Sequence, residues 1–156
     1  MKYYVRDGSL CALEEKFAFL SGGRGYYLGK QFVQRYDFKL DKWQDLPDML
    51  DGRFGHSSCA MANTLYVFHG YYDFHRVGSE YKPIAQPTIE QMSFAGDPVP
   101  EKDSTSVWQQ KWTRIELRGP KCLLDNILVH PLNTKEFLLL QGSADTLAIF
   151  NLQTGR

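Results

Sequence analysis

Short apolar runs, rich in aromatic and β-branched residues, alternate with turn residues along most of this chain, and helical spacing is weak. Ser9–Leu13 and Phe17–Ser21 read as two strands around a turn at 14–16. Residues 31–38 and 43–46 read as two more, joined by a turn at 40–42. A helix over 10–19 is the best alternative, but Glu14, Glu15 and Lys16 in its middle fit a hairpin turn equally well. A second unit runs Ser57–Met61, a turn at Ala62-Asn63, Thr64–Phe68, then strands at 87–94 and 111–117. A third runs 124–130, a turn at 132–134, then 136–140 and 146–152. Each unit is an antiparallel meander of four short strands, the last without its fourth. Such meanders in series build the blades of a β-propeller.

The units also share an ordered set of residues. Phe17-Ala18-Phe19-Leu20-Ser21-Gly22-Gly23 is followed by Tyr36-Asp37, Trp43, Leu46-Pro47, Met49, Arg53 and Gly55-His56. Leu65-Tyr66-Val67-Phe68-His69-Gly70 is followed by Trp112 and Leu117. A third copy begins at Glu136 and reaches Gln141-Gly142. Gly23 and Gly70 lie 47 residues apart, Gly70 and Gly142 lie 72 apart, and the excess falls in two inserts, 71–86 and 95–110. Both inserts read as surface loops. A period of roughly 50 residues constrains the architecture more firmly than any single residue, and it points away from catalysis.

This ordered set resembles the Kelch repeat. That pattern is a strand ending in a diglycine, a Tyr-Asp pair, a Trp opening the fourth strand, then Leu-Pro-x-Met and Arg-x-Gly-His. The first unit carries all of it. The second has His69-Gly70 for the diglycine and no Tyr-Asp, and the third has Gln141-Gly142 and Phe150-Asn151-Leu152. The resemblance covers roughly residues 9–156. It implies an all-β, Kelch-type propeller of about three four-stranded antiparallel blades, a partial ring. Blade one spans about 9–47, blade two about 53–118 with both inserts, and an incomplete blade three about 120–156. Gly22, Gly23, Gly70 and Gly142 would then take positive φ near the crowded axis. Tyr36 and Trp43, with Trp112 as the second Trp, would seal one blade on the next. Arg53 would cap carbonyls between blades, and Pro47 would suit an exposed turn. Asp37, Gly55 and His56 complete the signature.

Composition adds limits. Hydrophobic residues at 43% and aromatics at 14% suit sheets packed face to face. Lys and Arg total 18 and Asp and Glu total 18, so zero net charge gives nucleic-acid binding no electrostatic support. It also leaves solubility unprotected by charge, which favours a surface covered by a partner. Cys11, Cys59 and Cys122 are odd in number, form no CxxC and sit in apolar settings. They read as buried free thiols of a reducing compartment. The N-terminus lacks a signal-peptide core, and the longest apolar run is 137–140, so the expectation is a soluble, cytoplasmic protein without membrane contact.

Chemistry is sparse. Ser9 and Ser143 lack a GxSxG frame. His56 and Cys59 are three residues apart on one expected strand, which points them to opposite faces. His56, His69, His75 and His130 have no metal-ligand spacing, and Ser21-Gly22-Gly23-Arg24-Gly25 is not followed by the Lys-Ser/Thr of a phosphate loop. Nor is a constellation like the Tyr/Cys copper site of Kelch-type oxidases visible. No catalytic residue, metal or cofactor is expected.

In a four-stranded blade, the loop between strands two and three and the link to the next blade leave from the same face. That gathers Arg24, Gly25, Tyr26, Tyr27 and Leu28, then 48–54 with Arg53. Tyr71, Tyr72, Phe74, His75 and Arg76 join them, as does 143–145. Loop Tyr and Arg residues are what interface hot spots use. The expected function is a non-enzymatic protein-binding module whose contacts are Arg24, Tyr26, Tyr27, Arg53, Tyr71, Tyr72, Phe74, His75 and Arg76. For Tyr71 and Tyr72, folding back to cap a blade edge is the equal alternative. Cytoskeletal or ubiquitin-ligase components are the partners that the resemblance implies. Two other readings stay open: a structural subunit of a large, cytoskeletal assembly, and a carbohydrate-binding or oxidase-like propeller. Flanking sequence of a longer protein, a second copy or a larger assembly would complete the ring, the first being preferred. Tyr3-Tyr4-Val5 could supply a fourth strand beside 146–152.

Overall fold

The computed structural model describes residues 5–26, 28–94, 111–116, 127–141 and 146–154, and every regular element among them is a β-strand. Strands β1 (Ser9–Leu13), β2 (Phe17–Ser21), β3 (Val33–Asp37) and β4 (Lys42–Leu46) form sheet 1, an antiparallel meander in chain order. Strands β5 (Ser57–Met61) and β6 (Thr64–Phe68) begin sheet 2. Next comes a separate hairpin, β7 (Tyr71–Val77) and β8 (Glu80–Ala85). Strands β9 (Ile89–Ser93) and β10 (Thr113–Ile115) then complete sheet 2 in the order β10-β9-β6-β5. Sheet 3 holds β11 (Ile127–Asn133), β12 (Glu136–Gln141) and β13 (Thr146–Asn151).

The first insert, 71–86, differs from its expectation as a loop. Gly78-Ser79 is a two-residue connection with φ +63 at Gly78, a pair that a tight hairpin accepts. Pro83 is tolerated because β8 pairs only with β7 and is an edge strand. The turn between β5 and β6 also holds to hairpin geometry, with Ala62 at φ 46 and Asn63 at φ 59. The second insert, 95–110, and the first part of the strand expected at 124–130 lie outside the described residues, as do Tyr3 and Tyr4.

Strand alternation explains how the sheets stack. In β6, Leu65 and Val67 point to one side, and Tyr66 and Phe68 to the other. The first side meets Phe17, Phe19, Val33 and Leu46 of sheet 1, joined by Met92 of β9 and by Trp112 just before β10. The second side meets Ile127, Phe137, Leu139 and Phe150 of sheet 3. Edge-to-face rings fasten this second core, with Phe137 at 5.0 Å from Tyr66 and 5.1 Å from Phe68. Sheet 2 is thus buried on both faces. The stack does not close into a ring among the described residues, and the far faces of sheets 1 and 3 carry exposed leucines.

Candidate functional site

The strand ends turn at one end of the stack. Gly22 and Gly23 leave β2 with φ 54 and 92, and His69 and Gly70 leave β6 with φ 52 and 94. The two pairs are therefore conformational equivalents, although one is not a diglycine. A Cβ on Gly23 would fall 2.8 Å from the Arg6 carbonyl oxygen, and one on Gly70 would fall 2.7 Å from that of Phe54. Backbone approaches this close exclude a side chain. Bridges Arg6 to Arg24, Arg24 to Gly29, Lys30 to Arg53 and Phe54 to Tyr71 then knit four segments into one loop face.

Arg24 is the centre of that face. Its Nε donates to Asp7 at 2.5 Å, and its guanidinium lies 5.5 Å from the Phe54 ring and 5.3 Å from the Phe74 ring. Phe54 and Phe74 stack at 5.1 Å and 19°, and Tyr71 lies 5.8 Å from Phe54. A cation over such faces gains from the ring quadrupoles, and Asp7 adds the opposite charge. Beside this cluster is an open depression of about 330 Å³ bordered by Asp7, Phe54, Tyr71, Phe74 and Pro83. A second, also about 330 Å³, lies between Arg6, Arg24, Gly25 and Tyr26. A third, about 360 Å³, is lined by Gln31, Leu50, Asp51, Gly52, Tyr72 and Gln86.

The expected contact residues divide. Tyr26 is 93% exposed, and Tyr72 is exposed while its carbonyl accepts the Gly29 N–H at 2.9 Å. His75 and Arg76 are exposed on the hairpin, where Arg76 Nε donates to the Gly78 carbonyl at 3.0 Å. Arg24, Tyr71 and Phe74 are half-buried in the aromatic cluster, so Tyr71 partly serves to cap the stack. Tyr27, Gly142 and 143–145 lie outside the described residues.

Arg53 is a correction. Its side chain is wholly enclosed and offers nothing to a partner. One terminal nitrogen, Nη1, donates to the carbonyls of His69 at 2.9 Å and Thr88 at 3.0 Å. The other, Nη2, donates to Thr88 Oγ1 at 2.9 Å and to Glu90. Burial works against its positive charge, and the Glu90 carboxylate offsets this. Arg53 therefore caps carbonyls within sheet 2 rather than between sheets. Glu90 was not foreseen, although the alternation of β9 puts it on the same inward side as Met92. It also accepts the N–H groups of Leu50 and Asp51, which fixes the link that carries Phe54.

The other signature residues hold the frame. Asp37 Oδ1 accepts the N–H groups of Lys39 and Leu40, both at 2.9 Å, and so closes the β3–β4 turn. Tyr36 and Trp43 pack together at 5.2 Å on the far face of sheet 1, where no sheet among the described residues covers them. They therefore seal nothing there, in contrast with the buried Trp112, whose Nε1 donates to the Pro47 carbonyl at 2.8 Å. Gly55 has φ 57. His56 is buried and shares a 2.9 Å hydrogen bond with Ser21 Oγ. Burial, with Arg53 nearby, holds the His56 imidazole down to about 3. Such a ring is a poor base, and its Nδ1 meets no orienting group, so the Ser21–His56 pair is not arranged as a nucleophile and base. Among the described residues, no group of three His, Cys, Asp or Glu could hold a metal ion. No helix among them is long and apolar enough to cross a membrane.

No protein-family model and no curated protein sequence matches this chain. Stacked antiparallel sheets, two of them four-stranded, stand on the geometry above. The Kelch resemblance rests on the ordered residues alone.

Proposed function

We propose that this chain is a non-enzymatic protein-interaction module, built as part of a Kelch-type propeller in which sheets 1 to 3 are successive blades. The carrying observation is the loop face itself. It places the Arg24–Phe54–Phe74–Tyr71 cluster, the exposed Tyr26 and Tyr72, and three open depressions together at one end of the stack. Large rings with little rotamer freedom, set beside a cation and shallow relief, suit a protein surface better than an enclosed small-molecule site. The propeller reading is supported by the four-stranded meanders, the glycine-type turns and the signature order. The module belongs in the cytoplasm on this reading, and cytoskeletal or ubiquitin-ligase proteins are the partner classes to examine first.

The test is quantitative capture of cross-linked partners by the wild type and by Tyr26→Ala/Tyr72→Ala. The variant should lose the partners that the wild type enriches, while its melting temperature stays unchanged. Equal capture by both would remove the loop face from the function.

A further inference from the structure

The two ends of the stack are complementary. Aligning Gly70 with Gly23 makes Ala18 and Leu20 of β2 the counterparts of Leu65 and Val67, which are fully buried against the preceding sheet. Trp43, near the start of β4, is likewise the counterpart of Trp112, which directly precedes β10, each at the opening of the fourth strand of its sheet. The far face of sheet 1, with Leu10 67% exposed and Ala12, Ala18, Leu20, Tyr36 and Trp43 around it, therefore has the form that receives a preceding sheet. At the other end, aligning Gly142 with Gly70 makes Leu138 and Leu140 the counterparts of Tyr66 and Phe68, which face the following sheet. Leu140 pairs with Leu128 and Leu147, and Leu138 pairs with Ile149. Leu128, Leu147 and Ile149 are 71%, 61% and 58% exposed. That face has the form that receives a following sheet.

We propose that these faces meet between two copies of this chain, the far face of sheet 3 in one copy docking on the far face of sheet 1 in the other. The chain carries both halves of one kind of interface, and the two internal junctions show what fills it: an antiparallel sheet with an apolar face of similar size. Zero net charge puts no overall repulsion between copies. The contact is head-to-tail, so two copies related by a twofold axis would make it twice. The surfaces involved are the stack ends, not the loop face, and the proposal stands apart from the partner-binding reading.

Complementation tests it. Leu10→Glu/Leu20→Glu disables one face and Leu147→Glu/Ile149→Glu the other, with circular dichroism confirming that each folds. Masses come from light scattering at micromolar to submillimolar concentration. Wild type should give twice 18.0 kDa or more, and each variant alone should give 18.0 kDa. Mixing the two in equal amounts should restore twice 18.0 kDa, since each still owns the face that the other lost. Trp43 emission should shift to the blue on mixing. A folded wild-type monomer would overturn the proposal and assign the faces to sheets from other sequence. Association that survives in either variant alone, or variants that do not restore one another, would overturn the head-to-tail arrangement.

Discussion

Arg53 and Glu90 form an ion pair in which neither side chain reaches solvent. The pair joins the link before sheet 2 to β9, and both partners also bond backbone groups. Removing one partner leaves a buried charge uncompensated. Arg53→Met and Glu90→Gln should each cost about 3–5 kcal/mol in urea unfolding. The double variant should cost clearly less than the sum. Additive losses would mean that the two residues act independently.

Stability should fall in mild acid because of His56. Its folded value is about 3, against an ordinary value of 6.5. Between those values the unfolded chain binds the proton and the folded chain does not, so stability drops as pH falls through that window. Wild type should lose about 2 kcal/mol more than His56→Gln between roughly pH 7 and pH 5. Equal slopes would place a charged or solvated imidazole at this position.

Cys11 and Cys59 should be unreactive thiols. Burial pushes Cys11 up to about 11, moderated by a hydrogen bond from Ser58, and pushes Cys59 up further. At about pH 8, roughly one Cys11 in a thousand is then thiolate. In a Cys122→Ser background, a thiol reagent should modify the buried Cys59 only as fast as the fold opens, and the half-buried Cys11 slowly because so little of it is thiolate. Rapid native-state labelling would contradict the packing of β1 on β5.

The turns after β6 and after β7 give a controlled comparison of glycines. Gly78 has φ +63 and open space around it, so Gly78→Ala should cost only about 1 kcal/mol for the left-handed backbone. Gly70 has φ +94 and backbone at 2.7 Å, so Gly70→Ala should cost about 2 kcal/mol more. The two unfolding curves, measured side by side, separate backbone conformation from close approach.

Much of the strand order was legible because alternation and turn chemistry agree, as at Ser9–Leu13, Phe17–Ser21, Ser57–Met61 and Thr64–Phe68. The hairpin β7–β8 was read as a loop because His75, Arg76, Lys82 and Pro83 hide its pattern, although Gly78-Ser79 was the telling pair. The loop face was legible in outline, since topology alone sends those segments to one end. Its internal arrangement was not. Arg53 lies in a loop by sequence, and only the position of Glu90, 37 residues later, draws it inside. The pairing of Asp7 with Arg24 was equally hidden, because it depends on how the segment before β1 crosses the glycine turn.

Strand β6 divides the two cores without separating them. Leu65 and Val67 belong to one, Tyr66 and Phe68 to the other, and they are consecutive links of a single extended backbone. Neither core can loosen at this strand without disturbing its neighbour, so the stack should melt as one cooperative unit, with amide exchange slowest at its middle. The hydrogens of β6 and β9 will be the last to exchange, and those of β1 and β13 the first. Any substitution in these four residues is therefore judged twice, once on each side of the sheet.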